Sequence, residues 1–257
     1  MSRTHGSKDF WVTALRADAG AFRAAVSQPG VLGARVPSCP EWTVGDLVRH
    51  LGAFYRRTHV RIGSGSATEP WGRLEVPEDA PGPADPAVVR WFEGELAQLD
   101  AVLDALDPDL PAWNWAPQPK TASFWFRRTA HETAVHRWDA QLATGLPEPI
   151  ETKLAGDTVA EVVDTFIPAG RRRGRTDVVG LVQLIAADLG HEWYLRLRGG
   201  GVAILDTGTL LDDDAHPARA VARGSASDLA LAMWGRIAFE VLETAGDEDL
   251  LDALRVS

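Results

Sequence analysis

The stretch TAHETAVHRWDAQ, residues 129–141, carries two histidines and two carboxylates within thirteen positions of a 257-residue chain. Imidazole and carboxylate side chains at short spacing can hold a divalent metal or move protons. The stretch resembles the zinc-protease pattern H-E-x-x-H with one residue too many. On a helix, residues four apart lie about 40° from one another and residues five apart about 140°. Glu132 and His136 therefore share a face, whereas His131 and His136 do not.

Trp125, Thr129, Glu132 and His136 follow one another at spacings of four, three and four, a single helical stripe expected to face a helical core. One more ligand must come from elsewhere, and His50, beside Leu47, Leu51 and Phe54 in an apolar helix face, is the candidate. Two histidines and one glutamate would leave a coordination position open, as in catalytic rather than structural zinc sites. Spacing alone also fits a hydrogen-bonded core His50 and an ordinary Glu-His helix pair. Asp139, three residues past His136, is placed to orient its imidazole or to pair with an arginine at the surface. His59, nine residues beyond His50, is read on the same side of that helix, and His131 as a residue on the helix flank, able to contact substrate near the mouth of the site.

Helices must position these groups. Leu15, Ala19, Phe22 and Val26 mark a first helix over 9–27, stopped by Gln28-Pro29-Gly30. Thr43 three residues before Asp46 forms a capping box that opens a second. Val89, Phe92, Leu96, Leu99 and Leu103 mark a third, and 123–143, free of proline and glycine, a fourth. Segments 62–85 and 107–120 read as long loops. Four helices in about 145 residues suggest a bundle. After Pro149 the texture becomes mixed: a helix-like TKLAGDTVAEVVDTFIPAG, two β-type runs around a triple glycine in WYLRLRGGGVAILDTG, a helix with Ser227 as N-cap, and a last short one opened by Asp247.

Composition narrows the function. A net charge of −10, with RRRGR at 171–175 the one dense basic run and read as a solvated loop, argues against nucleic acid. One cysteine, Cys39, excludes an internal disulfide and a C-x-x-C zinc site, and is read as a small buried hydrophobe. No apolar stretch approaches the roughly 20 residues a membrane helix needs. With no signal-peptide pattern, the expectation is a cytoplasmic protein, a monomer or weak dimer.

The phrases VPSCPEWTVGDLVRHL (36–51), AHETAVHRWDAQLATG (130–145) and GSASDLALAMWGR (224–236) resemble the mycothiol-dependent maleylpyruvate isomerase family of the DinB-like superfamily. The resemblance spans nearly the whole chain. It implies a DinB-like four-helix metal-binding bundle over 1–147 and a smaller α/β domain over 148–257. It further implies a divalent metal, usually zinc, on His50, Glu132 and His136, mycothiol as thiol cosubstrate, and Arg236 facing the metal cleft to hold an anionic substrate. Trp42, Trp138 and Trp234, inside the same motifs, are read as core or interdomain packing.

A metal with an open position lowers the pKa of a bound thiol, ordinarily about 8.5, and so suits thiol addition to a small electrophile. The expected activity is a mycothiol-dependent isomerase or thiol transferase. Metal-assisted hydrolysis and a non-catalytic metal-binding regulatory module are the competing classes.

Overall fold

The computed structural model describes residues 6–68, 70–145, 147–205 and 219–256. They divide into two units, Met1–Glu148 and Pro149–Ser257. Together they contain seven α-helices and a five-stranded sheet among the described residues.

In the first unit, α1 spans Lys8–Val26, capped by the Ser7 hydroxyl accepting from the Phe10 amide. Helix α2 spans Val44–Ile62. The Thr43 hydroxyl accepts from the Asp46 amide while the Asp46 carboxylate accepts from the Thr43 amide, the reciprocal pairing of a capping box. Helices α3 (Ala87–Ala105) and α4 (Ala122–Thr144) complete the set. Gly145, with φ of 84°, ends α4 in the left-handed region that glycine adopts without penalty. Helix α1 packs on α4, α2 on α3, and α2 also on α4. At Gly52 a Cβ would come within 2.3 Å of the Trp91 ring, so the missing side chain lets α3 approach α2.

A short hairpin precedes α2: β1 (Arg35–Val36) pairs antiparallel with β2 (Cys39–Thr43), and β1 lies against α4. The two expected loops are tied down by aromatic packing. Trp71 stacks on Trp125 of α4 at 4.0 Å, and the Trp125 indole N–H donates to the Trp113 carbonyl at 2.7 Å. Lys120 directs its ammonium at the carbonyls of Asn114 and Ala116, at 2.8 and 2.6 Å.

Helix α4 is buried on nearly every face rather than along one stripe. Its charged residues are paired inside: Arg137 donates to Asp18 of α1 at 2.8 Å and to Gln141 at 2.8 Å. A polar face in the sequence is here an interior hydrogen-bond network.

The second unit opens with α5 (Thr152–Glu161), continuing through a π-turn at Val162–Phe166. The sheet order is β5-β4-β3-β6-β7, formed by β3 (Val179–Ala186), β4 (His191–Arg198), β5 (Gly201–Ile204), β6 (Arg219–Gly224) and β7 (Glu243–Gly246). Only the β3–β6 pair is parallel among them. Trp193, Leu195 and Leu197 are buried while Glu192, Tyr194 and Arg196 alternate with them, the period of a strand. The triple glycine turns β4 into β5 with Arg198 opposite Gly201; residues 206–208 of the expected second run lie outside the described residues.

Helix α6 spans Ala226–Met233 and α7 spans Glu248–Asp252, the latter capped by Asp247. The N-cap of α6 is Ser225, not Ser227: its hydroxyl accepts from the Asp228 amide at 3.0 Å. Ser227, two residues on, is buried and accepts from the Ile150 amide at 2.9 Å.

Candidate metal centre

Helices α2 and α4 place His50, Glu132 and His136 together, their donor atoms all within 4.8 Å of one another. Both imidazoles aim at one oxygen: His50 Nε2 lies 3.1 Å and His136 Nε2 3.2 Å from Glu132 Oε1. The other oxygen, Oε2, accepts from Arg128 Nη2 at 2.5 Å, one turn earlier on α4. Asp139, fully buried, accepts from His136 Nδ1 at 2.9 Å. This is the orienting partner that a metal-binding histidine requires, and not a surface carboxylate.

The electrostatics follow from burial and pairing. Burial pushes the Glu132 carboxyl up, but Arg128, His136 and His50 outweigh it and hold the group well below the usual carboxylate range. Burial pushes His136 down, and Asp139 and Glu132 reverse this and raise it. Carboxylates only accept, so both nitrogens of His136 donate in this arrangement. The donor set fits a divalent metal. A tetrahedral zinc with bonds of about 2.0–2.2 Å separates its ligand atoms by roughly 3.3–3.5 Å, near the 3.1 and 3.2 Å measured between the imidazole nitrogens and Oε1. A cation binding there would take the place of the imidazole protons.

Trp42 of β2 forms one wall, its ring 4.8 Å from that of His50 and 6.2 Å from that of His136. The Arg128–Glu132 pair sits at the i, i+4 spacing that a helix brings together, but the site-wall position of Trp42 and a hydrogen bond from Ser38 Oγ to Asp139 Oδ1 at 2.5 Å were outside the reach of spacing arguments. Each joins segments far apart in the chain or depends on a rotamer.

His59 belongs elsewhere. Nine residues at about 100° each make about two and a half turns and end on the opposite face, so His59 faces α3 and lies 3.1 Å from Glu95 Oε2. Its expected position on the side of His50 is corrected accordingly. His131 is fully buried and outside the three-donor cluster. Trp138 is buried on α4, and Trp234 packs edge-on against Phe166 in the second unit. Arg236 follows α6 and donates from Nη1 to the Trp234 carbonyl at 2.8 Å. Cys39 is half-buried in β2 rather than fully enclosed.

A family model described as the mycothiol maleylpyruvate isomerase N-terminal domain matches residues 12–141. Among solved structures, the fold is similar to that of the mycothiol-dependent maleylpyruvate isomerase, at 14% identity over 93% of each chain with a TM-score of 0.61. A histidine-to-alanine mutant of that enzyme gives 14% identity over 93% of each chain and a TM-score of 0.63. A comparison with curated proteins finds no match. No helix among the described residues is long and apolar enough to cross a membrane. Since the matched segment spans just over half of the 257 residues, the chain belongs to the mycothiol maleylpyruvate isomerase family of enzymes.

Proposed function

We propose that this protein is a zinc-dependent enzyme that uses mycothiol to isomerise, or to transfer the thiol onto, a small electrophilic substrate. The observation that carries this reading is the convergence of His50 Nε2 and His136 Nε2 on Glu132 Oε1. His50, Glu132 and His136 hold the cation in this proposal, and the four long helices form the DinB-like bundle that presents them. A divalent cation there would supply Lewis acidity, bringing a thiol pKa of about 8.5 toward neutrality.

The chain's own groups prepare that chemistry. Asp139 holds the Nδ1 proton of His136, which leaves Nε2 as the ligand atom. Arg128 occupies Glu132 Oε2 and keeps Oε1 turned to the imidazoles. Trp42 covers the two histidine rings and limits water. Arg236 is proposed, on the family resemblance, to hold an anionic group of the substrate. In the isomerase version the thiolate sulfur bonds to one carbon of a conjugated cis double bond, and the π electrons move onto the carbonyl. Rotation about the resulting single bond and expulsion of the thiolate return the trans alkene. In the transferase version a proton is taken up and the thioether is released. The expected setting is the cytoplasm, as a monomer or weak dimer.

The test is turnover of maleylpyruvate, the substrate in the name of the similar enzyme, with and without mycothiol, followed by absorbance and mass spectrometry. Thiol-dependent formation of the trans isomer or of a thioether supports the proposal. Turnover that proceeds equally without thiol contradicts it and favours hydrolysis by an activated water. Replacing Arg236 by Ala is expected to raise KM more than it lowers kcat.

A further inference from the structure

The tip of the β1–β2 hairpin is built into the candidate metal centre. Val36 and Cys39 face each other across the hairpin, leaving Pro37 and Ser38 as its two-residue turn. From that turn the Ser38 hydroxyl donates to Asp139 Oδ1 at 2.5 Å, across a sequence separation of 101 residues. The other oxygen of the same carboxylate accepts from His136 Nδ1 at 2.9 Å. A carboxylate has no proton to give, so the direction of both bonds is set: serine and histidine each donate to aspartate.

The terminal torsion of an aspartate is broad and nearly two-fold. A single hydrogen bond from His136 would leave the carboxylate plane free to swing about that contact. A second donor on the opposite oxygen, delivered from a different element, fixes the plane and with it the tilt of the imidazole. The hairpin itself is anchored, since the Val44 amide donates to the Ala34 carbonyl at 2.9 Å and β1 packs on α4. The same hairpin carries Trp42, which lies against the rings of both His50 and His136. Its two grips meet on His136.

We propose that Ser38 is a positioning residue for the metal site: acting through Asp139, it holds His136 with Nε2 turned to Glu132 Oε1 and thereby tightens divalent-metal binding. The inference rests on the metal reading of His50, Glu132 and His136 given above. Partners bonded directly to a metal-binding histidine, as Asp139 is, are worth about 10–100-fold in affinity, and Ser38, one bond further out, is set at the lower end of that range.

The experiment is competition for Zn2+ between the full-length protein and a chromogenic chelator at fixed pH, with the visible spectrum of the Co2+ form as a second readout. Wild type, S38A, S38T, D139N and the S38A/D139N double variant are compared. The S38A variant is expected to bind Zn2+ about tenfold more weakly and to show an altered Co2+ spectrum, while S38T, which keeps the hydroxyl, stays within about twofold of wild type. In the D139N background S38A is expected to add less than about twofold, because residues acting through one another are not additive. Should S38A fail to fold, the near-isosteric pair S38T and S38V, which differ in the hydroxyl, carries the same comparison. Wild-type affinity in S38A, or in S38V where that pair is used, overturns the proposal, as does a full tenfold loss added on top of D139N. Absence of Zn2+ binding by the wild type overturns the metal reading and this inference together, whereas tight wild-type binding with an indifferent Ser38 overturns the inference alone.

Discussion

Helix α2 carries two histidine–glutamate contacts on opposite faces, and they are built for different ends. His50 lies 3.1 Å from Glu132, and His59 lies 3.1 Å from Glu95 of α3. Around Glu95 the remaining space is taken by Arg56, which donates to Oε1 from Nε at 2.9 Å and from Nη2 at 2.5 Å, and whose Nη1 reaches Asp79 at 2.6 Å. The guanidinium stands 5.5 Å from the Trp91 ring and never gives up its proton. That cluster holds a permanent cation against Glu95 and Asp79 and ties α2, α3 and the loop before α3 together. Around Glu132 Oε1 the two donors are imidazole nitrogens, which become metal ligands on losing their protons. Their protons can be exchanged for a cation. A histidine against a carboxylate is therefore not in itself a metal site; two titratable donors converging on one carboxylate oxygen distinguish the first cluster from the second.

The largest predicted difference between the clusters is in metal binding. Glu132→Gln or His136→Ala is expected to weaken Zn2+ binding by more than about 100-fold, beyond what loss of an outlying partner causes, while Glu95→Gln leaves it within about twofold. Chelator competition reads both, and equal losses in the two clusters would erase the distinction drawn here. Next in size, Asp139→Asn is expected to cost about 10–100-fold in Zn2+ affinity while leaving the helical circular dichroism in place.

Stability separates the two clusters less than metal binding does. Glu95→Gln removes the carboxylate from a partly exposed Arg56, so the 3–5 kcal/mol typical of breaking a buried pair is discounted to about 2 kcal/mol. Urea denaturation of the metal-free protein measures it. Glu132→Gln likewise takes a carboxylate from a guanidinium, here the buried Arg128, so its cost to the metal-free protein is expected to be at least as large.

The smallest effect is on pH dependence. His136 has a raised pKa, so its pairing with Asp139 and Glu132 stabilises the metal-free fold fully below about 6.5, the ordinary histidine value, and is lost as pH rises through the folded value. Zn2+ competes with the same proton. The Tm of the metal-free protein is expected to fall over this rise in pH while the Tm increment given by Zn2+ grows. An increment that shrinks with rising pH would contradict the exchange of protons for metal. Glu132, with a lowered pKa, contributes stability above the ordinary glutamate value that is lost only on further acidification.

The helices that carry the site were legible because their signals are local. The capping box at Thr43 and Asp46, the stripe through Trp125, Glu132 and His136, and the glycine after Thr144 all lie within a few residues of the ends and faces they set. The juxtaposition of α2 and α4 needed the family resemblance as well, since neither helix names its neighbour. Other features were not legible, for physical reasons. Buried Glu95 occupies a position that a hydrophobic stripe assigns to its neighbour Leu96, because pairing with Arg56 makes an interior carboxylate tolerable. The apolar run of β3 has no alternation and fits a buried helix or a buried strand equally. Ser225 and Ser227 are both plausible caps by composition, and they are separated by the bond that Ser225 accepts from Asp228 and the tertiary bond that Ser227 accepts from Ile150. Ser38 and Trp42 look like a turn residue and a core aromatic until the fold brings them to Asp139 and His136.

The central claim is that the two imidazoles and Glu132 bind a divalent metal. The most direct measurement is the metal content of the purified protein after Zn2+ loading and desalting, by mass spectrometry of the elements, for wild type beside Glu132→Gln and Glu95→Gln. About one Zn2+ per chain in the wild type and in Glu95→Gln, with little in Glu132→Gln, is the result predicted by the geometry. A wild-type protein without bound metal, or a Glu132→Gln protein that keeps its full complement, would contradict it.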